Sequence, residues 1–186
     1  MKEPAFNKAD ERISSSQDIA GQKIHKDTID FGFRTVQRTD KARLVRGVFD
    51  TVASRYDIMN DLMSGGVHRL WKEAMINWMA PQHHQKLIDL AGGTGDISLR
   101  FLRSGGGEAC ITDINHAMLR AGRNRLELKR LASQLSWCVG NAESLPIDNK
   151  TADFVTIAFG LRNITDRQAA LNEAHRILKP GGRFLC

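Results

Sequence analysis

Three stretches carry residue types whose chemistry and spacing belong together. The first is Lys86–Asp96, KLIDLAGGTGD. A short apolar run (Leu87, Ile88, Leu90) encloses Asp89, and Gly92, Gly93 and Gly95 follow at once. Ile97 to Leu102 then returns to a helical pattern. A buried strand, a glycine turn and a helix start open a nucleotide-type βα unit. Glycine admits positive φ and close approach of backbone to a ligand. The helix start behind it offers free N–H groups and positive potential.

A dinucleotide fingerprint would continue as G-x-G-x-x-G. Here Gly93-Thr94-Gly95 gives the first half, and Ser98 stands where the third glycine would be. Asp89 at the front would repel a pyrophosphate but suits a ligand bearing an ammonium group. S-adenosylmethionine has an ammonium, a sulfonium and no phosphate, so the pattern D-x-A-x-G-x-G reads as a methyl-donor loop. An ordinary strand–turn–helix corner is the plainer alternative.

The second stretch is Ala109–Leu119. Asp113 ends a short strand, eighteen positions after Gly95. An acid at that distance, at the tip of the second strand, can accept both ribose hydroxyls. It could equally cap the helix carrying Met118 and Leu119. The third stretch is Leu135–Pro146, where a strand ends near Val139 and Asn141 follows. An amide there can accept from an adenine amino group while the Ala142 N–H meets a ring nitrogen. Asn in a plain turn is the alternative.

The elements that must position these groups form a parallel α/β sheet. Asp153–Gly160 reads as a fourth buried strand, with Leu161-Arg162-Asn163 at its C-terminal end. Asp166–Leu178 is an amphipathic helix opened by Thr165 or Asp166. Lys179-Pro180-Gly181-Gly182 ends it, and Arg183–Cys186 starts a fifth strand. Strand and helix alternate, as in a doubly wound fold.

With 186 residues the chain supports one substantial core. Residues 1–30 are polar, lack the apolar stretch of a signal peptide and read as a tail. Residues 31–81 read as a helical segment placed to lid a lipophilic substrate. Val45, Val48, Phe49, Val52 and Ala53 recur at helical spacing, and Met59, Leu62 and Met63 form an apolar stripe. Leu70, Trp71 and Met75 start a further helix. Tyr56 is a candidate polar group of that lid, or a hydrogen-bonded core tyrosine. His68 could be a base, but a half-buried histidine is the plainer expectation. Residues 82–186 form the donor-binding domain.

The net charge is +6. Arg120, Arg123, Arg125, Lys129 and Arg130 read as a solvated helix face, with an anionic membrane surface or RNA as the sharper alternative. Cys110, Cys138 and Cys186 form no C-x-x-C, which fits reduced thiols in a cytosol. No apolar run approaches the length of a membrane span, and no cluster with metal-ligand spacing appears.

Together these stretches resemble the class I S-adenosylmethionine-dependent methyltransferases. More closely, the chain resembles the ubiquinone/menaquinone biosynthesis C-methyltransferase family. The resemblance rests on FGFRTV (31–36), VFDTVASRYDIMNDLMSGGVHRLWK (48–72), LIDLAGGTGDI (87–97), TDINHAML (112–119), GNAESLP (140–146), TIAFGLRNITD (156–166) and RILKPGGRFLC (176–186). It implies a Rossmann-like three-layer sandwich and methyl transfer to a ring carbon of a polyprenylated benzoquinol or of demethylmenaquinol. By position, Thr94, Asp113, Asn141 and Ala142 would contact the donor, beside Asp89, Gly93 and Gly95. Ala158 stands where the family often has a hydroxyl residue.

The transfer needs aligned reactants and a stabilised phenolate-like oxygen. Arg162, a fixed cation at a strand end, suits the second task, with a surface salt bridge as the plainer alternative. Asn163 and Tyr56 could orient the hydroxyl. The resemblance further implies a peripheral protein on the cytoplasmic side of a bacterial inner membrane, meeting a lipophilic quinol. A homo-oligomer or a quinone-biosynthesis complex is compatible with it, and no nucleic-acid partner is expected. A short-chain nicotinamide dehydrogenase would want Lys four positions after its Tyr, and Asn60 stands there. An RNA or other small-molecule methyltransferase is the runner-up enzyme. The resembled family continues beyond the fifth strand, so an inactive donor-binding remnant is the third reading.

Overall fold

The computed structural model describes residues 28–31, 34–37 and 66–186. The chain divides into two compact units, Met1–Arg43 and Leu44–Cys186. In the first, β1 (Thr28–Phe31) pairs antiparallel with β2 (Arg34–Gln37), Thr28 opposite Gln37 and Phe31 opposite Arg34. This hairpin replaces the tail and helix that the sequence predicts over these positions. The β-branched residues Thr28, Ile29, Thr35 and Val36 favour the extended form. Tyr56, the remainder of the tail and the apolar stripe at 45–63 lie outside the described residues.

In the second unit, α1 (Val67–Met79) begins at Gly66, φ 82°, and ends at Ala80, φ 46°. Its buried positions are His68, Lys72, Ile76 and Met79, one face at helical spacing. Leu70 and Trp71 are exposed, while Lys72 and His68, the latter expected to be half-buried, are buried. The ion pair of Lys72 described below accounts for this inversion.

The sheet contains β3 (Lys86–Leu90), β4 (Glu108–Asp113), β5 (Leu135–Val139), β6 (Ala152–Thr156) and β7 (Leu178–Leu185). All pairings are parallel, in the order β5-β4-β3-β6-β7. Between them lie α2 (Asp96–Arg103), α3 (His116–Asn124), the short α4 (Leu126–Lys129) and α5 (Arg167–Ile177). Strand β3 is buried on both faces because helices cover both. Leu87 joins Met79, Phe101 and Phe154 on one face. Ile88 and Leu90 join Val155, Ala174 and Ile177 on the other. The alternation of neighbours along one strand therefore builds two cores, each under its own helical layer.

β6 ends at Thr156, earlier than the sequence predicts. The Lys179–Gly182 stretch is a break in register within β7: Leu178 opposes Ala152, and Arg183 opposes Phe154. Asp166 caps α5, its side chain accepting from Ala169 N. Arg120, Arg123, Lys129 and Arg130 are exposed, as a solvated face requires. All three cysteines are free. Among the described residues no helix is long and apolar enough to cross a membrane.

Candidate functional site

The chain leaves β3 for β4 on one side and later returns as β6 on the other. Strand order reverses at β3, and ligands of such sheets bind at the C-terminal ends around that point. Between β3 and α2, Ala91, Gly93 and Gly95 take φ values of 49°, 56° and 81°. The Gly92 N–H donates to the Thr112 carbonyl at 3.0 Å. A β-carbon on Gly92 would lie 2.8 Å from Asp89 Oδ2, so only glycine fits there.

Asp89 lies beneath the turn at 1% exposure. Thr156 Oγ1 donates to its Oδ1 at 2.8 Å and Ser98 Oγ to its Oδ2 at 3.1 Å. Burial pushes its pKa up to about 6, against the pull of these two hydroxyls. The carboxyl expected to face a ligand ammonium thus ties turn, helix and neighbouring strand together. Ser98, which breaks the dinucleotide fingerprint, is one of its partners.

Asp113 is used twice. Its Oδ2 accepts from Gly93 N at 2.9 Å and its Oδ1 from Asn115 N at 2.8 Å. Burial raises its pKa, and the N–H donors of Asn115, Gly93 and Ile114 oppose the rise. The cap of α3 is Asn115, whose side chain accepts from Ala117 N and Met118 N. Asp113 is thereby released from the capping duty and braces the glycine turn. Three backbone N–H groups thus occupy most of the carboxylate, which keeps room for one further donor.

Thr94 is buried at 6% exposure. Asn141 is exposed, and its Oδ1 accepts from Glu143 N at 3.1 Å. Asn141 thus sits in a turn, and its amide oxygen keeps a second acceptor direction. Ala142 is half-buried beside it.

Past β6, Leu161–Asn163 forms a 3-10 turn in which Arg162 is exposed and Asn163 half-buried. A β-carbon on Gly160 would lie 2.6 Å from the Ala91 Cβ. The Arg162–Asn163 turn therefore abuts the glycine turn. Phe159 holds φ 65°, a conformation costly for a bulky side chain. Its ring stands 6.1 Å from that of Trp71 on α1. Two non-glycine residues in left-handed backbone, Ala91 and Phe159, flank this one contact; such strain gathers at functional sites.

Sequence reasoning missed Lys72. Its ammonium donates to Asp96 Oδ2 at 2.9 Å, and Arg100 Nε donates to the same oxygen at 3.2 Å. Burial would raise Asp96, yet the Lys72 and Arg100 cations hold it below the ordinary carboxylate range. α1 is thus fastened to the first turn of α2. It also missed the role of Glu143, which lies inside the GNAESLP stretch, and the close packing at Gly122. The structure brings Asp89, Gly93, Thr94, Gly95, Asp113, Arg162 and Asn163 to one sheet edge.

Residues 34–186 match the model of the ubiE/COQ5 methyltransferase family. The chain belongs to this family. Over 159 residues it is 58% identical to the ubiquinone/menaquinone biosynthesis C-methyltransferase UbiE of Cereibacter sphaeroides, covering 85% of this chain and 64% of that one. The chain therefore spans just under two thirds of the length of that relative. Among solved structures it resembles the [4+2]-cyclase SpnF, with a TM-score of 0.63, 18% identity, and coverage of 76% of this chain and 58% of that one. It also resembles a methyltransferase from Thiobacillus denitrificans crystallised with S-adenosyl-L-homocysteine, with a TM-score of 0.54, 16% identity, and coverage of 61% and 46%. Both likenesses show the fold.

Proposed function

We propose that this domain binds S-adenosylmethionine over the β3–α2 turn and carries the donor half of a quinol C-methyltransferase. The observation that carries the reading is the bond from Gly93 N–H to the Asp113 carboxylate. It holds a bare glycine backbone and an acid together at a strand-order reversal, with acceptor capacity left for a ligand hydroxyl. Family membership over residues 34–186 supports it independently.

Bound there, S-adenosylmethionine supplies an electrophilic methyl group on a sulfonium. Asp113 would accept from a ribose hydroxyl, and the backbone at Gly93–Gly95 would admit the amino-acid portion closely. Asp89 acts through the turn, which it fixes from below. The acceptor is a polyprenylated benzoquinol or demethylmenaquinol. Its ring carbon becomes nucleophilic when the adjacent hydroxyl loses its proton. Arg162 stabilises that oxygen, and Asn163 orients it. The exposed Trp71–Phe159 pair offers an aromatic wall beside the turn. So lipophilic a substrate is met at a bilayer surface, and the protein acts at the periphery of the inner membrane.

The test is donor-dependent methylation of a short-chain demethylated quinol, followed by mass. Arg162→Ala should lower kcat by about a hundredfold or more, the usual size for a lost oxyanion partner, with S-adenosylmethionine affinity unchanged. Normal turnover by Arg162→Ala would remove Arg162 from the mechanism.

A further inference from the structure

We propose that Glu143 is a positioning residue that couples the donor-side loop after β5 to the Arg162–Asn163 turn; this rests on the functional reading above. One oxygen of its carboxylate, Oε1, accepts from two successive backbone N–H groups, Thr165 and Asp166, each at 3.0 Å. Those donors lie just past Arg162 and Asn163. At its other end Glu143 is held by the residue assigned to the donor, since its own N–H donates to Asn141 Oδ1. The path runs Asn141, Glu143, Thr165 and Asp166, and then directly into the 3-10 turn. That turn is closed by Asn163 N donating to the Gly160 carbonyl at 2.9 Å.

The neighbouring contacts separate this role from general bracing. The downstream half of the same loop is bolted to α5 by other residues. Leu145 N donates to Glu173 Oε2 at 2.6 Å, and Arg176 donates to the carbonyls of Leu145 and Ile147 at 3.1 and 2.7 Å. Helix α5 has its own cap in Asp166. Truncating Glu143 therefore leaves the helix capped and the loop anchored downstream. What is released is the upstream half, with Asn141 and Ala142, from the turn carrying Arg162 and Asn163. A ligand that orders one side would then no longer order the other.

Hydrogen exchange of the 186-residue chain, with and without S-adenosylhomocysteine, tests this. Calorimetry of the same ligand runs alongside. Without ligand, the Thr165 and Asp166 amides of Glu143→Ala should exchange about tenfold faster than wild type, having lost a charged acceptor. Glu143→Gln, which keeps Oε1, should stay near wild type. With ligand, exchange over residues 161–166 should slow in wild type and Glu143→Gln but not in Glu143→Ala. Equal slowing in Glu143→Ala overturns the proposal, and so does calorimetric binding to wild type without any slowing. Equal ligand-free exchange in wild type and Glu143→Ala overturns the tether itself. A folded wild type that gives no binding heat overturns the donor-site reading on which the coupling rests, a result visible in the calorimetry alone.

Discussion

Asp89 is kept at 1% exposure by the same glycine turn it supports, and burial lifts its pKa to about 6. The folded state therefore holds a proton that the unfolded chain, titrating near 3.8, has already lost. As pH rises through that window, stability falls, because the folded protein must ionise a desolvated group. The gap between the two states costs roughly 3 kcal/mol, fully expressed above pH 6 and absent below the unfolded pKa. In Asp89→Asn the Ser98 and Thr156 hydroxyls can turn to suit an amide. Urea unfolding of that variant should lack the part of the wild-type decline between about pH 4 and 6 that Asp89 causes. Parallel pH curves for the two proteins would show that Asp89 does not titrate in this way. Asp113 was legible in the sequence because its distance from the glycines is set by one βαβ repeat. The turn contact of Asn141 was not, since spacing locates a side chain but cannot name its partner within the turn.

At the scale of elements, helix α3 packs closely against the glycine turn. A β-carbon on Gly122 would meet the Thr94 carbonyl and the Trp137 ring, each at 2.8 Å. Alanine would gain about 1 kcal/mol of helix propensity. Overpacking against backbone and a large ring costs about 1–3 kcal/mol. Clash wins, so Gly122→Ala should lower the thermal midpoint by several degrees and weaken donor binding, as Thr94 is displaced. A midpoint raised by the substitution would mean that α3 yields freely. Nothing in the residue pattern warns of this, because a glycine inside a helical pattern looks like a weak helix position until the facing element is known. The buried face of α1 is set by a contact equally absent from the local pattern. Hydropathy favours burying Leu70 and Trp71, but the carboxylate of Asp96 draws Lys72 inward. A pairing across 24 residues leaves no local trace.

At the scale of the molecule, the parallel sheet between two helical layers was legible. Alternating strand and helix signals, with short apolar strands, leave few arrangements open. The β1–β2 pair was missed, since two four-residue strands carry little periodicity. The fold alone does not decide the chemistry, as the likeness to a [4+2]-cyclase shows. Donor binding must therefore be measured directly. The decisive measurement is calorimetric titration of S-adenosylmethionine into the 186-residue chain, with NADH as the control ligand. Saturable binding at one site in the micromolar range, with no heat from NADH, is the predicted result. A folded chain that takes up no S-adenosylmethionine, or binds NADH equally well, would contradict the assignment of the β3–α2 turn.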